Sequence, residues 1–362
     1  MINKWNSELM LTSSNTLEDF SDIMETIKQL YFYKFYDYQI NQRNYPGEFF
    51  EKIVEWLEQF EEDERRYLFY LVSKIIFFTN KQLTYLIDFI YPRRIKKRIL
   101  EEIIEENDHI EPFDYKRAEN EFYTEEIGKT MFVACSDSSR INEFQHCHDH
   151  DLSRNSNFCD LNHLIGPIRK IRNSQLSTED EEACWGYMDI IEKNYREITR
   201  IVCIDDFWGS GSDMNDIINY FEEASFNFNS IILAPYITTY KVVEKFKDII
   251  ASDDLAYNYH LIYGEILPVN MRCFDQQNSY LEQDWFDDSV DIKEQIKNIS
   301  NKIYTQYFSY GEKCLSEPNK FGFGSVYIAF VYHYNCPDNT LPIIWKKGNG
   351  FRSLFPRSSR II

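Results

Sequence analysis

Residues 200–214 read RIVCIDDFWGSGSDM. Four apolar residues, Ile201-Val202-Cys203-Ile204, run into two acids, Asp205 and Asp206. Gly209-Ser210-Gly211-Ser212 follows, and then Asp213. A short, partly β-branched apolar run bounded by turn residues reads as a buried strand. Met214, Ile217, Ile218 and Phe221 recur at helical spacing, so a helix is expected over 213–225. Residues 205–212 are then the loop between strand and helix.

The same alternation continues on both sides. Residues 130–135 read as a strand followed by the polar turn Ser136-Asp137-Ser138-Ser139. Residues 142–160 are polar and read as loop, and 178–195 as a helix with an acidic start. Strands are expected at 230–234, 259–264 and 326–332, and a helix at 240–250. Strands alternating with helices imply a mostly parallel sheet with crossover helices flanking it, an α/β fold.

The front of the chain is different. Leu17, Phe20, Ile23, Met24, Ile27, Leu30 and Tyr31 form one helical stripe over 17–36. Further helices are expected at 48–60, at 62–79, at 81–91 with Asn80 as cap and Pro92 as terminator, and at 93–106. The expected organisation is an all-α domain over 1–122, the α/β domain over 123–345, and a basic aromatic tail over 346–362.

Composition sets limits on function. At 362 residues with 43% hydrophobic content, the chain can fill two cores. A net charge of −20 excludes a broad nucleic-acid footprint. The basic run Arg93-Arg94-Ile95-Lys96-Lys97-Arg98 is read as a solvated helix face. Eight scattered cysteines without a CxxC pair, no leader pattern and no apolar run of membrane-spanning length point to a cytoplasmic protein with reduced thiols and no membrane.

The loop after the acids has a chemical logic. Glycines let backbone N–H groups approach an anion, and the start of the next helix adds partial positive charge. Two adjacent carboxylates repel phosphate but accept hydrogen bonds from vicinal sugar hydroxyls. A 5-phosphoribosyl group requires both features side by side. The misfit is Asp213: a carboxylate about 4 Å from a phosphate costs roughly 1–4 kcal/mol. It fits only if it turns outward and caps the helix, leaving its N–H and the Ser212 hydroxyl for the ligand.

This arrangement resembles the phosphoribosyltransferase signature, an apolar strand, two acids, three residues and Thr-Gly-x-Thr. Asp205 and Asp206 match the acids, Phe207-Trp208-Gly209 the spacer, Ser210 and Gly211 the first Thr and the Gly, while Asp213 departs from the last Thr. The tail Asn339-Thr340-Leu341-Pro342-Ile343-Ile344-Trp345 with Leu354-Phe355-Pro356-Arg357 is similar to the ending of phosphoribosyltransferase-like proteins of prokaryotic conflict (anti-phage) systems. So are Phe321-Gly322-Phe323-Gly324-Ser325, Asn335-Cys336-Pro337-Asp338-Asn339-Thr340, and the front with Trp56-Leu57, Phe60 and Arg65.

The resemblance implies a type I phosphoribosyltransferase-like core behind a helical extension, and an effector or accessory role, in some cases in retron-type modules. Asp205 and Asp206 would hold the ribose diol, and 209–213 would cradle the 5′-phosphate. Ser136, Asp137, Ser138, Ser139 and Arg140 would meet pyrophosphate, with a plain surface turn as the alternative. The reaction implied is displacement of pyrophosphate at the anomeric carbon, with Mg²⁺ bridging ligand oxygens. The ligand is a phosphoribosyl donor or a nucleotide. A catalytically degraded module that senses a nucleotide or docks a partner is the other reading.

Two further clusters stand out. His146, His148 and His150, with Cys159 and His163 nearby, are zinc-ligand types, but their spacing matches no standard finger and a polar loop explains them as well. Trp345, Phe351 and Phe355 alternate with Lys346, Lys347, Arg352, Arg357 and Arg360. That interleaving suits a partner or its nucleic acid, or else a tail packing its aromatics on the core. The sequence leaves homo-oligomerisation open.

Overall fold

The computed structural model describes residues 25, 28, 29, 31–38, 46–152, 157–173, 176–224, 226–251, 255–275, 279, 281, 290–310 and 315–357. Of the first predicted stripe, Tyr31 is described and buried; Leu17, Phe20, Ile23, Met24, Ile27 and Leu30 lie outside the described residues, as does Arg360 of the tail. The chain divides into two compact units. One is split, Met1–Gln82 with Pro268–Ile362; the other is continuous, Leu83–Leu267. The expected boundaries at 122 and 345 are therefore not where these units divide.

The split unit starts with α1 (Pro46–Leu57) and α2 (Glu62–Lys74). Glu61 and Glu64 form a reciprocal cap at the start of α2, the Glu61 N–H donating to Glu64 Oε2 at 3.1 Å. The predicted helix over 62–79 stops at Lys74 because Ile76–Phe78 forms strand β1 instead. This β-branched and aromatic run pairs in parallel with Phe330–Tyr332 near the other end of the chain, Ile76 opposite Phe330 and Phe78 opposite Tyr332. The front is accordingly not a self-contained all-α domain. Phe35, Trp56 and Leu71 share one core with Ile299, Leu341 and Phe355. Trp56 Nε1 donates to the Ile343 carbonyl at 3.1 Å, which joins two of the segments carrying the family resemblance.

Helix α3 (Asn80–Ile90) begins one residue later than its cap. Thr79 Oγ1 accepts from the Gln82 N–H at 3.1 Å while Gln82 Oε1 accepts from the Thr79 N–H at 3.0 Å. The capping residue is thus Thr79, not Asn80. Pro92 does not end the helical path either. A π-helical turn over Tyr91–Ile95 accommodates its missing donor and leads directly into α4 (Lys96–Glu106).

After α5 (Tyr115–Glu121) the chain enters the sheet of the continuous unit with β2 (Thr130–Ala134). Residues 142–160, expected as loop, are largely regular: α6 (Ile141–Cys147), a single turn at Asp149–Leu152, and β3 (Asn157–Asp160). Polar surface residues on short elements hid the pattern. Then come α7 (Leu161–Asn173), α8 (Thr178–Asn194), β4 (Arg200–Trp208), α9 (Ser212–Ala224), β5 (Ser230–Thr239), α10 (Tyr240–Ile250), β6 (Asn258–Leu261) and β7 (Glu265–Leu267). The strand order is β3-β2-β4-β5-β6, with β7 pairing further along β5, and every pairing is parallel. This is the expected α/β architecture. On one face Ile201, Cys203, Ile231 and Leu233 pack against Leu164, Ile168, Met214 and Ile218 of α7 and α9.

At the starting edge of the sheet a buried ionic cluster ties α4 to three strands. Glu102 accepts from Arg200 Nε at 2.6 Å and from Ser230 Oγ at 2.8 Å, and His260 Nε2 lies 3.1 Å from it. The basic run at 93–98 is partly paired: Lys96 bonds Glu119 at 2.5 Å and Arg98 meets Glu105 at 2.8 Å. The split unit continues with α11 (Ile292–Ile303) and closes its sheet with β8 (Phe330–Tyr332). Among the described residues, no helix is long and apolar enough to cross a membrane.

Candidate functional site

The strand that was expected to end at Ile204 runs on to Trp208, so both acids lie within β4, not in the loop. Parallel pairing holds them there: Asp205 is in register with Pro235 and Phe207 with Ile237. Side chains alternate along a strand, so Asp205 and Asp206 leave opposite faces of the sheet. Both sit at its carboxyl edge, where open α/β sheets bind their ligands, and both are buried.

The two acids have different surroundings. Asp205 Oδ2 accepts from Trp208 Nε1 at 2.8 Å. Asp205 Oδ1 accepts from Ser136 Oγ at 2.5 Å and from the Asp206 N–H at 3.0 Å. Burial raises the Asp205 carboxyl above its ordinary range, while these three hydrogen bonds oppose the rise. Both oxygens of Asp205 thus accept from protein donors. Asp206 Oδ1 accepts from Ser138 Oγ at 3.0 Å.

The turn after β2 therefore reaches across to the acids. Ser136 Oγ and Ser138 Oγ lie 2.9 Å apart. Ser139 is buried, its N–H donating to the Ser136 carbonyl at 3.1 Å, and Asp137 is exposed. Arg140 adopts the left-handed conformation at φ 51° and forms an ion pair with Glu143 one turn into α6. The five residues expected from order alone to meet one anion thus include two serines already bound to the neighbouring acids.

The glycine loop is held from the next strand. Thr239 Oγ1 donates to the Gly209 carbonyl at 2.6 Å, and Thr238 Oγ1 to the Trp208 carbonyl at 3.2 Å. Ser210 and Ser212 face one another with hydroxyls 2.8 Å apart. Gly211 has φ 75°, which a side chain tolerates poorly, and a Cβ there would stand 3.1 Å from Lys245 Cδ. Asp213 is not the cap. It lies in the first turn of α9, exposed, where a carboxylate complements the helix dipole.

Three contributors were not singled out from sequence. Trp208 was read as spacer, yet its indole N–H orients Asp205. Thr239 and Lys245 come from elements whose sequence carries no motif. The stem of Lys245 borders the loop, its Cδ 3.1 Å from where a Cβ on Gly211 would stand.

The histidine cluster does not assemble. His148 is buried, its Nε2 3.1 Å from the Ile87 carbonyl, and its ring packs on Tyr91 and Phe144. His146 and His150 are exposed, with side-chain accessibilities of 86% and 79%. Cys159 Sγ lies against Met131 Sδ at 3.1 Å, and His163 against Tyr187 and Tyr195. Among the described residues no group of three or more His, Cys, Asp or Glu could hold a metal ion. The tail aromatics are also occupied: Phe351 and Phe355 are buried in the split unit's core, and Trp345 is flanked by Lys346 and Arg357.

For magnesium the donor set is small but suitable. Mg²⁺ bound with a diphosphate takes most of its ligands from phosphate oxygens and water, needing one or two carboxylates. Asp205 and Asp206 are the adjacent carboxylates that this edge of the sheet offers.

No curated protein and no solved structure matches the chain. The family model described as PRTase-CE matches residues 53–357. The chain belongs to that phosphoribosyltransferase-like family.

Proposed function

From a PRTase-CE chain with this crest, we propose an enzyme that binds a phosphoribosyl donor or nucleotide and transfers the pentosyl group. One observation carries the reading. At one sheet edge, Asp206, the Ser136–Ser138 turn and the Gly209–Ser212 loop at the start of α9 stand side by side. A diol acceptor beside an anion nest is what a 5-phosphoribosyl group requires.

In this reading Asp206 accepts from the sugar hydroxyls and is the residue that would hold Mg²⁺, which when bound would neutralise the diphosphate. Asp205 positions Asp206 and the Ser136 turn. The N–H groups of 210–213 and the Ser210 and Ser212 hydroxyls receive the 5′-phosphate, with Lys245 adding positive charge at Gly211. The anomeric carbon–oxygen bond to pyrophosphate breaks as the nucleophile's bond to that carbon forms.

Calorimetric titration with phosphoribosyl pyrophosphate and Mg²⁺ tests the reading. Binding that Asp206→Asn abolishes supports it, and no heat at millimolar ligand rejects it.

A second reading, a ligand sensor without turnover, draws on Ser136 and Ser138. Their hydroxyls are spent on the acids, which leaves pyrophosphate to backbone groups and Arg140. Pyrophosphate release under saturating donor separates the two. We also propose, from the resemblance of the front and tail, that the protein serves an anti-phage system with a partner protein. Loss of plaque protection in Asp206→Asn, with the protein still expressed, is the expected result.

A further inference from the structure

Tyr236 is fully buried on β5, and its hydroxyl has no hydrogen-bond partner among the described residues. Leaving a buried hydroxyl unpaired costs about 1–3 kcal/mol, so such groups are rare and call for an explanation. Position supplies one. The registered pairs Asp205–Pro235 and Phe207–Ile237 flank Asp206 and Tyr236 on adjacent parallel strands. The side chains of Asp206 and Tyr236 therefore leave the same face, next to each other.

On the far side of Tyr236 the backbone of Gly264 closes in. Its N–H donates to the Pro235 carbonyl at 3.3 Å, and a Cβ there would stand 2.7 Å from the Tyr236 carbonyl. The backbone of β5 is thus closely flanked at this position. The charged groups that act on its hydroxyl are Asp206, Glu143, Arg140 and Asp205. Burial, first, and then Asp206 push the phenol well above its ordinary range, so it stays a protonated donor.

An acceptor-only carboxylate and a phenol donor side by side complement one group type. A sugar hydroxyl both donates and accepts. We propose that Asp206 and Tyr236 hold one hydroxyl of the bound sugar between them, the carboxylate accepting from it and the phenol donating to it. The proposal rests on the phosphoribosyl reading and adds to it a residue that selects for the hydroxyl.

The test is a cycle of binding measurements. Ribose 5-phosphate and its 2-deoxy and 3-deoxy analogues are titrated into the wild type and Tyr236→Phe. The expected variant melts at or above the wild-type temperature and binds ribose 5-phosphate roughly 10- to 100-fold more weakly. One deoxy analogue loses at least as much on the wild type, because it forfeits the Asp206 contact as well, and its loss is smaller on the variant than on the wild type. Equal binding of ribose 5-phosphate by both proteins, fully additive losses, or a lowered melting temperature overturns the proposal while the phosphoribosyl reading stands. If the wild type binds none of the three at millimolar concentration, both fall together.

Discussion

The Ser136 hydroxyl donates to Asp205 Oδ1 at 2.5 Å, from the turn after one parallel strand to the end of the next. With Trp208 Nε1 on the other oxygen, it makes the two neighbouring acids unequal. Asp205→Asn should destabilise the fold by about 1–3 kcal/mol, because the amide nitrogen must confront one buried donor. Asp206→Asn should cost less than about 1 kcal/mol and remove ligand binding. Urea melts of the two variants beside a donor titration check the split; equal effects would contradict it.

Asp213 is exposed in the first turn of α9. Asp213→Thr should therefore change phosphoribosyl affinity by less than about threefold and lower stability slightly through the lost dipole interaction. A tightening of tenfold or more in calorimetry would mean that the carboxylate opposes the ligand after all.

Gly211→Ala places a side chain at φ 75° and drives a Cβ toward Lys245 Cδ. The expected cost is about 1–2 kcal/mol of stability, with weakened binding of inorganic phosphate. Lys245→Ala relieves the crowding, so the double variant should recover part of the stability but none of the phosphate affinity. Thermal melts with and without phosphate read both.

Glu102 gives an acid-side prediction. Burial would raise its carboxyl, but the His260 ring, the Arg200 guanidinium and Ser230 together hold it at about 2 against an ordinary 4.5. Arg98 and Glu106 of the same helix and Glu126 also act in this cluster. A lowered pKa means stability present in full above about 4.5 and lost as the pH falls toward 2, on the order of 3 kcal/mol. Glu102→Gln should be less stable at neutral pH and show a shallower decline over that window. Parallel curves for the two proteins would refute the assignment.

The parallel sheet was legible because buried strands such as 201–204 and 230–234 are unbroken apolar runs. The acids and the loop were legible because Asp-Asp and Gly-Ser-Gly-Ser are local. Partnerships between distant segments were not. Ile76–Phe78 looked like the end of a helix because its strand partner, Phe330–Tyr332, is remote in sequence. His148 looked like a ligand because nothing local announces that its ring lies under Ile87 and beside Tyr91. Trp208 and Lys245 carry no motif, and their roles follow from what the fold sets beside them.

The pairing of β1 with β8 also constrains the order of assembly on the ribosome. All strands of the continuous unit are synthesised before Phe330–Tyr332 exists, whereas Ile76–Phe78 must wait for it. The unit bearing the acids can mature during translation, and the earliest helices complete their core last.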